Sequence, residues 1–194
     1  MSLRPAIAIA LALAVAPAFA ETPVALLFET PHVAALATGD VVRYRHSRSA
    51  PEWLGMPAAA DMATLEKRAD RATTLTLDAE GRGREIAFDD LPGNPLVMVV
   101  LENAVRATSR ATGGSPFYLR NRVREALRDD LARRDGALVA RPFADDPNRA
   151  RLGAFADLEL RFVMDPDAPG MFRSLGARAA DGAYAEEFRL DDAP

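Results

Sequence analysis

The sequence predicts an α+β protein in which a curved, half-barrel-like antiparallel sheet packs on a two-helix layer. Segments of alternating apolar and polar residues occur both before and after a central helical stretch. The links between these segments have hairpin length, which favours antiparallel neighbours over crossovers. The two central helices follow one another directly, joined only by Gly113-Gly114. They therefore form a pair, where a parallel sheet would interleave them with strands.

Residues 1–20 have the three-part layout of a cleavable signal peptide. Arg4 supplies the positive n-region, and Ala6 to Val15 is an unbroken run of Ala, Ile, Leu and Val. Ala18-Phe19-Ala20 places small residues where the signal peptidase reads them, so Glu21 is the expected first residue after cleavage. The apolar run falls short of the roughly 20 residues that span a bilayer. A lipid anchor would need a cysteine, and the chain has none. The expectation is general export to a bacterial periplasm, as a soluble, non-lipidated protein with one domain over 21–194. That length suits a single core without disulfide staples.

The elements follow in order. Thr30-Pro31 reads as the start of a short helix ending near Ala37. Gly39-Asp40 turns into a strand at Val41–Ser47, with Val42, Tyr44 and His46 on one face. Residues 49–61, rich in Pro and Ala, read as a loop. Ala72–Asp78 and Arg84–Asp89, separated by Glu80-Gly81-Arg82-Gly83, read as a hairpin with Ile86 and Phe88 inward. Asn94-Pro95 and Ser115-Pro116 then place capping residues ahead of a proline at the first helical position, where its missing N–H costs nothing.

The first helix runs to about Ala111 and has one polar stripe, Glu102, Asn103, Arg106, Ser109 and Arg110. The second runs to about Arg134, with Leu119, Val123, Leu127 and Leu131 inward and Asp129–Arg133 and Asp130–Arg134 as i,i+4 pairs outside. Strands return at Ala137–Phe143, Ala156–Met164 and Tyr184–Leu190, the last with Phe188 and Leu190 inward. With these, the sheet has about six strands.

The chemistry-bearing motifs are few. There is no His-Glu-x-x-His, no Gly-x-Ser-x-Gly and no phosphate loop ending in Lys. Two histidines, His32 and His46, do not make a zinc site, and His46 reads as a hydrogen-bonded histidine of the core or its rim. Asp165-Pro-Asp167-Ala-Pro-Gly170 opens like a calcium loop, but Pro169 and Gly176 stand where oxygen ligands are needed, so a turn is expected. Asp145-Asp146 reads as a pair of solvated loop acids. No metal and no cofactor are expected.

The formal charge of −4 becomes −5 once Arg4 leaves with the signal. That balance argues against nucleic acid as a partner.

One constellation points to ligand binding. A Gly-Gly corner entering a helix N-terminus offers N–H groups to an anion. Arg106, Arg110, Ser115, Tyr118, Arg120, Asn121 and Arg124 lie near it in the helical pattern. Arg120 falls between core positions, so it must be paired or snorkel. The structural reading is an ion pair of Glu102 with Arg120 or Arg106. The functional one is a bound carboxylate or phosphate.

Phe28 with Pro31-His32, Gly39 to Tyr44, Gly93-Asn94-Pro95, Thr112 to Ser115 with Tyr118, Arg120 to Arg124, and Pro142-Phe143 together carry a resemblance. Through them most of the chain resembles a family of uncharacterised exported proteins of proteobacteria, which brings no activity with it. The element order is similar to the half-open antiparallel barrels of periplasmic lipoprotein carriers, where a curved sheet and helices leave an apolar cavity, an analogy of topology alone. The expected function is a periplasmic protein binding or carrying a lipid-like, apolar or anionic amphiphilic molecule between sheet and helix pair. The alternatives are an envelope scaffold or assembly protein without a small-molecule site, and a hydrolase or lyase using His46 with the arginine cluster.

Overall fold

The computed structural model describes residues 22–31, 33, 36–69, 73–79, 82–89, 93–167 and 171–191. The expected signal peptide and His32 lie outside them. So do residues 32, 34 and 35 of the helix expected after Thr30-Pro31, and residues 168–170 of the Pro-rich turn.

The described residues of that expected helix, 31, 33, 36 and 37, are not helical, and the helix near the start lies earlier, at Pro23–Phe28 (α1). Thr22 Oγ1 accepts from the Ala25 N–H at 3.2 Å, and Pro23 occupies the first turn. Among the described residues the sheet has nine strands, three more than about six. They are Val41–Ser49 (β1), Ala59–Lys67 (β2), Thr73–Ala79 (β3), Arg82–Phe88 (β4), Ala132–Arg134 (β5), Ala137–Ala140 (β6), Glu159–Met164 (β7), Phe172–Arg178 (β8) and Ala185–Leu190 (β9).

Every pairing is antiparallel, in the order β4-β3-β2-β1-β9-β8-β7-β6-β5, and the curved sheet does not close into a barrel. Two meanders, β1–β4 and β5–β9, are thus joined edge to edge by β1 pairing with β9, from Tyr44 opposite Leu190 to Ser49 opposite Ala185.

Helices α2 (Pro95–Thr112) and α3 (Pro116–Asp129) connect the meanders. Asn94 Oδ1 accepts from the Leu96 N–H at 2.9 Å, as a cap should, and Gly113 ends α2 at φ +68°. Ser115, in contrast, makes no side-chain capping bond. Leu119, Val123 and Leu127 are buried as the four-residue repeat requires. Leu131 is also buried, but it lies beyond the helix. Asp135 and Gly136, at φ +48° and +74°, form a tight hairpin turn that pulls 132–134 into β5 opposite 137–139. The expected Asp129–Arg133 and Asp130–Arg134 pairs therefore do not form, and Asp129 accepts both of its charged bonds from Arg128 at 2.8 Å.

Core side chains from both meanders, among them Tyr44, Leu65, Leu75, Phe162, Phe172 and Phe188, pack in one cluster with α2. That helix rests on β8 and β9. The concave side of the other half of the sheet is left with a hollow beside it. Among the described residues no helix is long and apolar enough to cross a membrane.

Candidate functional site

Of the seven residues expected to gather around the Gly-Gly corner, Ser115 and Tyr118 line a hollow of about 260 Å³ there, and the four arginines and Asn121 are not among its walls. Arg120 donates to both oxygens of Glu102, Nε to Oε2 at 3.0 Å and Nη2 to Oε1 at 2.8 Å, and its side chain is half-exposed. The paired alternative is the one realised, at the rim of the α2–α3 contact. The Arg120 guanidinium holds the Glu102 carboxyl below its ordinary range. Arg106 reaches Glu102 only at 3.9 Å.

Arg110 turns away and donates to the carbonyls of Leu54 and Gly55, finishing the short 3-10 turn Glu52–Leu54. Arg124 donates to Asn121 Oδ1 at 3.0 Å, one turn back on the same helix. Ser115 is exposed.

The two glycine amides of the corner are taken: the Gly113 N–H donates to the Ser109 carbonyl at 2.8 Å, and the Gly114 N–H to Thr112 Oγ1 at 3.1 Å. The first turn of α3 receives no side-chain bond from its cap residue Ser115.

Tyr118 belongs to a different structure. Its hydroxyl donates to Asp146 at 2.9 Å, and Arg122 Nε and the Asn148 N–H reach the same carboxylate at 3.0 and 2.7 Å. Asp146 is buried, not a solvated acid, and ties the 141–157 loop to α3. A buried carboxylate persists only when its oxygens are satisfied in this way.

The polar group of chemical interest lies on the inner face of the sheet. By the period of two, β1 turns Tyr44, His46 and Arg48 inward, β9 turns Glu186 and Phe188 inward, and β1–β9 pairing puts His46 opposite Phe188. The rings of His46 and Phe188 stack at 4.2 Å. His46 is 5% exposed. Its Nδ1 lies 2.7 Å from Asp61 Oδ1 on β2, and its Nε2 lies 2.8 Å from Glu186 Oε1.

Glu186 is fully buried. Its Oε1 also accepts from Arg48 Nη1 and from Asn103 Nδ2 of α2, each at 3.1 Å, and its Oε2 accepts from the Tyr184 hydroxyl at 2.7 Å. Burial and the adjacent carboxylate push the Tyr184 phenol well above its ordinary value, so it stays a donor. A neutral imidazole has one N–H, yet both ring nitrogens face carboxylate oxygens. Both nitrogens are occupied, and neither is left to take a proton from a substrate.

This network forms one wall of a hollow of about 440 Å³ between β1–β4, β9 and α2. Leu77, Ile86, Phe88, Met98, Val99 and Phe188 give it apolar walls, and His46, Arg48, Asp61, Arg84, Glu102, Asn103 and Arg106 give it polar ones. Met98 is half-exposed, which is unusual for a methionine beside a core and marks the open side of the hollow. A second, more apolar groove of about 370 Å³ runs between α1, α2 and α3, with Arg120 and Arg124 on its rim.

Of the seven residues expected around the Gly-Gly corner, Arg106 alone lines the hollow, together with His46 of the enzymatic alternative. Sequence reasoning passed over Glu186, Asp61, Arg48 and Tyr184. The available signal was alternation, since a strand with Phe188 and Leu190 inward must turn Glu186 inward too, and a buried carboxylate there calls for His46 or Arg48.

Compared with known protein families, with curated proteins and with solved structures, the chain finds no match. What it does must therefore be argued from the site.

Proposed function

We propose that the chain is an exported periplasmic protein that binds or carries an apolar or anionic amphiphilic molecule in the hollow between the sheet and α2. The observation that carries this reading is the hollow itself, within the size range of small-molecule sites, mostly apolar, with a few convergent polar groups. The open, curved sheet lying over helices supports the likeness to lipoprotein-carrier half-barrels, as an analogy of shape. The signal layout of residues 1–20 supports export. Catalysis by His46 draws no support from a ring held at both nitrogens.

The test uses protein released from the periplasm of an expressing bacterium, with Glu21 expected as its first residue. Organic extraction and native mass spectrometry should find a co-purifying amphiphile. The neutral apolar dye N-phenyl-1-naphthylamine should bind, and Val99→Trp, which fills the hollow, should weaken it by about tenfold or more. A chain that carries nothing and leaves the dye in water overturns the reading.

A further inference from the structure

We infer that the molecule held in the hollow has an anionic head group, a phosphomonoester or carboxylate, gripped between Arg84 of β4 and Arg106 of α2. The inference rests on the hollow being a binding site and adds the class of ligand and the residues that select it.

Charge comes first. Within the network, Asp61 and Glu186 are engaged by Arg48 and His46. Glu102 gives both oxygens to Arg120, leaving Arg106 at 3.9 Å. Arg84 makes no hydrogen bond or ion pair with any described residue, although its partner across the sheet, Leu77, also lines the hollow. The lining therefore presents two guanidiniums: Arg84, with no ion pair among the described residues, and Arg106, whose 3.9 Å approach to Glu102 is to a carboxylate already held at both oxygens by Arg120. Guanidinium is the side chain whose planar fork matches phosphate and carboxylate.

Direction agrees with charge. Along β4, Arg84, Ile86 and Phe88 share one face, and Phe88 is the one next to the 89–94 link. Along α2, Met98 and Val99 lie near that link, and Arg106 lies two turns further on. Each wall is apolar near the link and carries an arginine away from it, with Glu102, held by Arg120, between the two on α2, and a tail with an anionic head matches that order. The plain alternative is that Arg84 is only an inward charge guarding an edge strand against pairing with other chains.

Three ligands with one dodecyl tail separate these readings: dodecyl phosphate, dodecyl maltoside and dodecyltrimethylammonium, each titrated below its micelle concentration by calorimetry. Dodecyl phosphate should bind at least tenfold more tightly than the maltoside, with the cation weakest, and salt should narrow the gap. Arg84→Gln and Arg106→Gln should each weaken dodecyl phosphate about tenfold and leave the maltoside unchanged, at an unaltered unfolding midpoint. Equal affinity for the three heads, or arginine variants that weaken all three alike, overturns the head-group assignment while the hollow still binds. Failure of every ligand to bind overturns the hollow as a site. Aggregation of Arg84→Gln with unchanged dodecyl phosphate affinity assigns that arginine to the edge and overturns its part in the grip.

Discussion

Glu186 accepts four hydrogen bonds from four different side chains and has no solvent to fall back on. Replacing it with alanine strands Arg48, Tyr184 and Asn103 and leaves His46 with a single carboxylate. Breaking a buried charge network from one side costs about 3–5 kcal/mol, because the remaining charge has no partner. Glu186→Ala should therefore shift a urea unfolding curve by that amount. Glu102→Ala, which removes an equally well-aligned but half-exposed pair with Arg120, should leave the curve where it was. Equal shifts for the two would mean that burial is not what sets the worth of these carboxylates. The contrast is instructive because pattern reading put its weight on the Arg120 pair. An arginine between leucines on a helix is conspicuous, whereas a glutamate two residues before a phenylalanine in a short strand is not.

Among the elements, β8 and β9 leave no room for a side chain at Gly176. A Cβ there would collide with the Glu186 carbonyl oxygen and lie 3.1 Å from the Glu187 Cα, both rigid backbone. Gly176→Ala should cost about 3 kcal/mol, the upper end of overpacking, since no side chain can rotate aside. Gly113→Ala meets open space at φ +68° and should cost only the 1–2 kcal/mol of a left-handed residue. Thermal unfolding of the two variants checks the order, and a milder Gly176 variant would show that the strands can part.

Gly176 also lies in a strand that pattern reading missed, for a physical reason. Val163 faces Ser174 while Met164 faces Phe172, and this slip in register breaks the period of two in β8. β2 was missed because Ala-Ala-Asp-Met-Ala has little strand preference of its own and takes its form from β1 and β3 on either side. What was legible came from local chemistry: the Asn94-Pro95 start, the Gly113 stop, the leucine repeat of α3 and the inward faces of β1 and β4. Some signals of the same kind were present but lost to stronger ones. Thr22-Pro23 opens a helix like Asn94-Pro95, and Asp135-Gly136 marks a hairpin that the leucine repeat obscured. The hollow depends on a sheet of nine strands coiling past α2, a relation between distant segments that no local window contains.

At the scale of the molecule, the two meanders are joined by β1 pairing with β9 and by the layer that α2 adds, and Tyr44 sits at that junction. It is fully buried on β1, and its hydroxyl accepts from Asn94 Nδ2 at the head of α2 at 3.3 Å. Burial raises its pKa from the ordinary 10.0 to about 12, with Asn94 and the Phe172 backbone pulling weakly the other way. An acid whose folded pKa is raised favours the protonated form. Its contribution is complete below pH 10, the unfolded value, and is lost as pH rises toward about 12, because the unfolded chain releases that proton first. Two pKa steps amount to roughly 2–3 kcal/mol, and Tyr184, raised for the same reason, adds in the same direction. Stability should thus be flat up to pH 10 and fall steeply above it. Tyr44→Phe should be less stable at pH 8 for want of its hydrogen bond, yet lose less between pH 10 and 12. Because Tyr44 ties one meander to the helix layer that rests on the other, phenol ionisation at 295 nm and loss of ellipticity should follow a single curve. Two separated transitions would show that the halves of the sheet unfold independently, with β1–β9 pairing too weak to couple them.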